Sequence, residues 1–383
     1  MDFAATSFTR QEAKKAMLPF LEKKFGNPGS FHSVGLEAKK ALDSSRSKTA
    51  KLLNCLPEEI IFAGSGTESV NLALKGVAFA LRNKGKHIIS QKTEHHAVLH
   101  SLEWLKKEFG FEITLLDVDA HGLVSPDDLE KAIQPDTILI SIMYANNEIG
   151  TIQPIKALAS IAKKHNVLFH TDACQAAGFL DIDTKALGID LMTINGSKIY
   201  ALKGTSLLFA KKSIPISPLI HGGAQESGKR AGTENVAGIA ALAKALELAQ
   251  KERKKESARL TKLRDYMVRE LKKIPNTVLN GHSVHRLPNN VNVSFYGVEG
   301  ESILLHLDRQ GICASTGSAC TSHSLEPSHV IMALKRPYEY AHGSIRFSLG
   351  KTTTKAQINF VIKKMPGIIQ NLRLLSPIGK VKK

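Results

Sequence analysis

"TILISIMYANNEIGTIQPIKALASIAKKHNVLFHTDACQAAG" spans residues 137–178. It opens on a β-branched apolar run, turns at Gly150 and Pro154, and carries apolar residues at helical spacing from Ile155 to His165. A second apolar run, 167–173, follows. Strand, helix and strand in that order make a crossover whose two strands run parallel in one sheet.

The same alternation continues outward. Short runs at 59–64 ("EIIFAG"), 87–90 ("HIIS"), 112–118 ("EITLLDV"), 190–196 ("DLMTING") and 205–212 ("TSLLFAKK") read as strands, with helices expected at Thr67–Leu81 and Asp127–Ile133. This is the pattern of an α/β protein with a mainly parallel, helix-covered sheet. Residues 235–275 then read as nearly continuous helix, apolar at first ("VAGIAALAKALELA") and charged afterwards, which suits a connector between domains. Beyond it, "NNVNVSFYGV" (289–298), a helix near 301–311, "HGSIRFSLG" (342–350) and a last helix over 355–375 describe a smaller α+β unit. The expected division is a large domain, 12–254, and a small one, 255–383 with residues 1–11.

Composition narrows the function classes. A chain of 383 residues with 43% hydrophobic and 23% charged residues is a globular protein with a sizeable core. No apolar run approaches the roughly 18 residues of a membrane span, and Met1-Asp2-Phe3 is not a basic-then-apolar leader. A cytoplasmic protein is therefore expected. The four cysteines, Cys55, Cys174, Cys313 and Cys320, form no C-x-x-C pair, which argues against a zinc ribbon or a thioredoxin motif and for reduced thiols. The formal charge of +17 would attract polyanions, but the lysines are spread along many helices, as in "KKESARLTKLRDYMVRELKK" (254–273). They read as solvated faces, and neither a nucleic-acid nor a membrane partner is expected.

In doubly wound sheets the ligand sits beyond the carboxyl ends of the strands, and the unusual residues fall there. "AGSGTESVNLALKG" puts Ser65, Gly66 and Thr67 at a helix start, a place for a phosphate or simply an N-cap turn. "FHTDACQAAG" puts Asp172 and Gln175 at a strand end, where the carboxylate could cap a helix or pair with a protonated ring nitrogen. "DLMTINGSKIYALKG" presents Lys198 behind an apolar strand and a glycine turn, a setting suited to Schiff-base chemistry. A phosphate turn, an acid and a lysine on separate strand ends together describe a site for pyridoxal 5'-phosphate.

Ordered blocks along almost the whole chain carry a resemblance. "MDFAAT", "FGNPGSFHSVGLEA", "TEHHAVLHS", "ANNEIGTIQPI", "FHTDACQAAG", "KIYALKG", "HGGAQESGKRAGTENVAG", "STGSACTSHSLEPSHV" and "GSIRFSLG" resemble the cysteine desulfurases of the nitrogen-fixation and iron–sulfur-cluster type. These are class V aminotransferases, fold-type I pyridoxal-phosphate enzymes. The resemblance implies that Lys198 is the Schiff-base lysine and catalytic base, Asp172 the pyridinium partner, and Gln175 a donor to the ring hydroxyl. It makes His95 the residue stacked on the ring, Gly66 and Thr67 holders of the phosphate, and Thr233 a contact to the phosphate of a partner subunit in a homodimer. Asn147 and Arg346 match positions that hold cofactor and substrate, the arginine by a fork to an amino-acid carboxylate. His96 has no assigned role and reads as a surface or packing residue.

Cys320, in "STGSACTSHS" (315–324), resembles the desulfurase nucleophile, with Gly317, Ser318 and Ser322 giving its stretch mobility. Cys55, Cys174 and Cys313 read as inert small hydrophobes. Three departures from the family pattern stand out. Asn195 and Ser197 occupy the places of a serine and a histidine near the phosphate, and both retain donors. Ser227 stands where arginine is common, and Ala201-Leu202 where glycine-proline is usual. The implied activity is conversion of L-cysteine to L-alanine, with sulfur passed as a Cys320 persulfide to an acceptor protein of iron–sulfur cluster assembly or tRNA thiolation. The alternatives are a pyridoxal-phosphate lyase acting on selenocysteine or cysteine sulfinate, and a sulfur-trafficking or interaction protein with a decayed site.

Overall fold

The computed structural model describes residues 1–317 and 327–376. Seven strands form the larger sheet: β1 (Ile60–Ala63), β2 (His87–Gln91), β3 (Glu112–Leu116), β4 (Thr137–Ser141), β5 (Leu168–Asp172), β6 (Leu191–Asn195) and β7 (Ser206–Ala210). Their spatial order is β1-β7-β6-β5-β4-β2-β3. The pairings among β3, β2, β4, β5 and β6 are parallel, as the opening alternation implies. β7 runs antiparallel to β6, and β1 antiparallel to β7. Two reversals return β1 to the direction of β6, so the ends of β1 and of the parallel strands all point to one edge of the sheet.

Helices cover both faces, which is why β2, β4 and β7 are buried at every position and read as unbroken apolar runs. β3, at the edge, is exposed or half-buried at every position but Leu116. Helices unnamed by the sequence reading join this layer, among them Gln11–Glu22, Ser33–Leu53 and His96–Phe109.

A second sheet, entirely antiparallel, holds β8 (Thr277–Leu279), β9 (Asn290–Phe295) and β10 (Ser344–Ser348) in the order β10-β9-β8. Its core includes Val291, Val293, Ile345 and Phe347, packed with Ile358, Val361 and Met365 of the helix Lys355–Leu375. The helix Val236–Leu271 serves both layers. Its Ile239, Leu242 and Leu246 lie in the larger core and its Leu260, Met267 and Leu271 in the smaller.

The N-terminal segment also joins the two. Asp2 bridges Ser348 of β10, and Ala4 N donates to Ser348 Oγ at 2.8 Å. A few residues on, Ser7 N donates to Ser197 O (2.9 Å) and Arg10 N to Tyr200 O (3.0 Å). Residues 2–10 thus run from the smaller sheet to the turn that carries Lys198.

Candidate active site

A cavity of about 270 Å³ opens at the carboxyl ends of the strands, near the lower limit of small-molecule pockets, roughly 300–1,000 Å³. Gly66, Thr67, His95, Asn147, Asp172, Gln175, Asn195, Lys198 and Arg346 line it. These residues come from β1, β2, β4, β5, β6 and β10 or from the turns that follow them, and only the sheet order brings them together. Two expected members do not line it. Ser197 is held through its backbone: its N–H donates to Asn195 Oδ1 (3.1 Å) and its carbonyl accepts from Ser7. Thr233 is exposed and is not among the lining residues. Cys320, with Ser318 and Ser322, lies outside the described residues.

Local chemistry explains each placement. The helix Gly66–Leu81 begins at Ser65, whose Oγ accepts from Glu68 N (3.1 Å), so the N–H groups of the first turn face the cavity with the positive helix end behind them. Asp172 ends β5, and its Oδ1 accepts from Cys174 N (2.9 Å) while Tyr144 N holds its carbonyl (2.9 Å). Lys198 closes the short 3-10 turn Gly196–Lys198. Gly196 is required there, because a Cβ would collide with Thr205. Lys198 Nζ donates to Ala4 O at 2.9 Å and to Ala5 O, and Gln175 Nε2 donates to Ala4 O at 3.0 Å. Arg346, 3% exposed on β10, donates from Nη1 to Asn147 O (2.9 Å) and from Nη2 to Asp2 Oδ1 (3.0 Å).

Several lining residues carried no sequence signal of their own. Glu94, beside His95, is buried, and burial pushes its carboxyl up to about 8 even though Gln91 and Met143 N donate to it. Glu148 is also buried and raised by burial, although Ser328 Oγ donates to its Oε2 at 2.5 Å. His329 donates to Glu94 O (2.9 Å) and stands 4.7 Å from His96, ring centre to ring centre. His96 is half-buried and lines the cavity, and burial drops it to about 4. Burial likewise lowers His95, whose Nδ1 accepts from Ala97 N (3.0 Å), so the neutral ring carries its proton on Nε2.

The cysteines divide differently from expectation. Cys55 behaves as a packed hydrophobe, its thiol raised to about 12 by burial. Cys174 lines the cavity, with its thiol raised by burial and by Asp172, which keeps it an unreactive thiol. Cys313 is exposed, because the chain there leaves the small core after Ile312.

The donor set fits pyridoxal phosphate. A helix start with free N–H groups faces the cavity beside the Asn195 amide, an acid and an amine stand on neighbouring strand ends, and a guanidinium waits opposite. Three buried polar atoms of the lining have no partner: Glu94 Oε2, His96 Nε2 and Arg346 Nε. Buried polar atoms are normally satisfied, so this lining is built to meet a polar ligand.

Comparison with known proteins gives the family. The sequence profile of the Aminotransferase class-V family matches residues 1–361. The chain is 56% identical to "Cysteine desulfurase IscS" of Dictyoglomus turgidum over 98% of its length and 96% of the relative's. Its fold superposes on a solved "NifS-like protein" with a TM-score of 0.91 at 36% identity, covering 97% of this chain and 99% of that one. The structure "SspA in complex with cysteine" matches with a TM-score of 0.80 at 34% identity over 91% and 97% of the two chains. With this near full-length identity, the chain belongs to the class V aminotransferase family and, within it, to the cysteine desulfurases.

Proposed function

We propose that the protein is a pyridoxal-phosphate-dependent desulfurase that takes the sulfur of L-cysteine as a persulfide on Cys320 and releases L-alanine. The observation that carries this reading is the convergence of Lys198, Asp172, His95 and Arg346 on one cavity from four separate strand ends. The cysteine present in the related SspA structure supports the substrate.

Bound in the cavity, the cofactor would supply an electron sink for charge developing at the substrate Cα. The phosphate would lie on the helix start at Gly66 and Thr67, with the Asn195 amide beside it. Asp172 would hold the ring nitrogen's proton, and Gln175 would donate to the ring hydroxyl. His95 would pack on the ring, and its Nε2–H would be the available donor there. Arg346 would take the substrate carboxylate, with Asn147 alongside. Lys198 Nζ would carry the cofactor and move the Cα proton. The Cys320 thiolate would attack the substrate sulfur, so that an S–S bond forms as the C–S bond breaks. Atoms balance as L-cysteine plus a thiol giving L-alanine plus a persulfide.

A homodimer is part of this reading. Phe25 and Phe31 are 73% and 95% exposed beside exposed Leu21 and Leu36, an apolar patch of the kind that marks an interface. Thr233, exposed and outside the lining of its own cavity, would then serve the partner's phosphate. The acceptor is read as a protein of iron–sulfur cluster assembly or tRNA thiolation. The free thiols of Cys55, Cys174 and Cys313 suit the reducing cytoplasm.

The test is alanine formation from L-cysteine by protein supplied with pyridoxal phosphate and a reductant, beside Cys320→Ser. Alanine from the parent alone is expected, with one extra sulfur on the Cys320 peptide by mass spectrometry when the reductant, which would cleave the persulfide, is left out. Equal alanine from both would replace this reading with a lyase that needs no protein persulfide.

A further inference from the structure

Residues Asp2–Ala5 belong to neither sheet's strands, yet they engage three cavity groups at once. Ala4 O accepts from Lys198 Nζ and Gln175 Nε2, Ala5 O accepts from Lys198, and Asp2 Oδ1 stands 3.0 Å from Arg346 Nη2. The segment is held there by the Asp2–Ser348 bridge, by Ala4 N on Ser348 Oγ, and by Phe3 packed over Gly350. Asp2 is less buried than Arg346, with 23% of its side chain exposed against 3%.

Around the guanidinium, Asn147 O takes Nη1, Asp2 takes Nη2, and Nε is buried without a partner. Asp2 is its only ion-pair partner among the described residues. Glu148, a carboxyl on which Arg346 acts electrostatically, is buried and bound to Ser328. A carboxylate arriving at Arg346 therefore meets a cation already paired with a carboxylate of the same chain.

We infer that Asp2 is a specificity-determining residue, an internal counter-ion that sets how tightly Arg346 holds a substrate carboxylate. This rests on the reading of Arg346 as the carboxylate site. Two effects of Asp2 can be separated. Its oxygen positions Arg346, and its charge opposes a second anion. Asparagine keeps the oxygen and removes the charge. In Asp2→Asn the guanidinium stays where it is, while its unbalanced charge favours the ligand. In Asp2→Ala the charge is also absent, and the positioning oxygen goes with it.

The experiment titrates L-alanine, the proposed product, and L-alaninamide, which lacks the carboxylate, into the cofactor-loaded protein, following the cofactor absorbance. Asp2→Asn should bind L-alanine roughly five-fold more tightly than the parent, and L-alaninamide no more tightly. Thermal melts of both variants check the fold, and Asp2→Ala replaces Asp2→Asn if the latter does not fold. Unchanged or weaker L-alanine binding overturns the inference, as does equal tightening of both ligands. An absorbance response to L-alanine in the parent but no difference in the variant removes this inference alone. No response to either ligand in the parent or the variant removes the substrate reading with it.

Discussion

At the residue scale, Glu94 shows how burial sets a charge state that the sequence does not display. Its carboxyl stands at about 8 in the fold, against roughly 4.3 for an unfolded glutamate. Between those values the folded protein keeps a proton that the unfolded chain has released, so stability falls as pH rises through the window and levels off above about 8. Glutamine cannot ionise, and its carbonyl can still accept from Gln91 and Met143. Glu94→Gln should therefore lose less stability than the parent between about pH 5 and about pH 8. Urea titrations of the apoprotein at the two pH values give the comparison, and parallel losses would mean that Glu94 is ionised in the fold. His96 works in the opposite sense: lowered to about 4, it lets stability fall as pH drops below the ordinary histidine range.

At the scale of elements, one ion pair ties three of them. Arg46, on the helix Ser33–Leu53, reaches Glu226 with both terminal nitrogens (2.9 and 2.6 Å) and Ile60 O at the start of β1. Glu226 Oε2 also accepts from Phe62 N (2.9 Å). The Glu226 side chain is 2% exposed, and its backbone is left-handed at φ 48°. The bidentate pair holds a residue in that conformation between the helix and the strand that leads to Gly66. Removing one partner of a buried pair leaves a stranded charge, so Arg46→Met should cost about 3 kcal/mol. Chemical denaturation of the apoprotein measures it, and a loss below about 1 kcal/mol would place the pair with ordinary surface bridges.

At the scale of the whole molecule, the site depends on how two cores are joined. The helix Val236–Leu271 and residues 2–10 both cross between them, and Arg346 reaches the cavity from the smaller sheet while Lys198 and Asp172 come from the larger. We read the change of core along the helix, between Leu246 and Leu260, as the domain boundary. The exposed patch around Phe25 and Phe31 gives the assembly prediction. Phe31→Asp places a charge where the proposed dimer needs apolar contact, so light scattering should show a shift from dimer to monomer. If Thr233 serves the partner, cofactor affinity falls in the monomer. A dimer that persists would move the interface elsewhere.

What could be read from the chain alone was whatever depends on near neighbours. The short runs at 137–141, 168–172 and 191–195, each led by apolar or β-branched residues and bounded by turns, specify strands, and the turns carrying Gly66, Asp172 and Lys198 are local, so their chemistry is visible in a few letters. The pairing directions of β1 and β7, the burial of Glu94 and Glu148, the place of Cys174 in the cavity and the exposure of Cys313 belong to the tertiary structure. So does the meeting of Asp2 with Arg346, 344 residues apart in the chain. Desolvation and ion pairing act through space, and no local pattern records which distant group removes the water from a carboxyl or supplies the opposite charge.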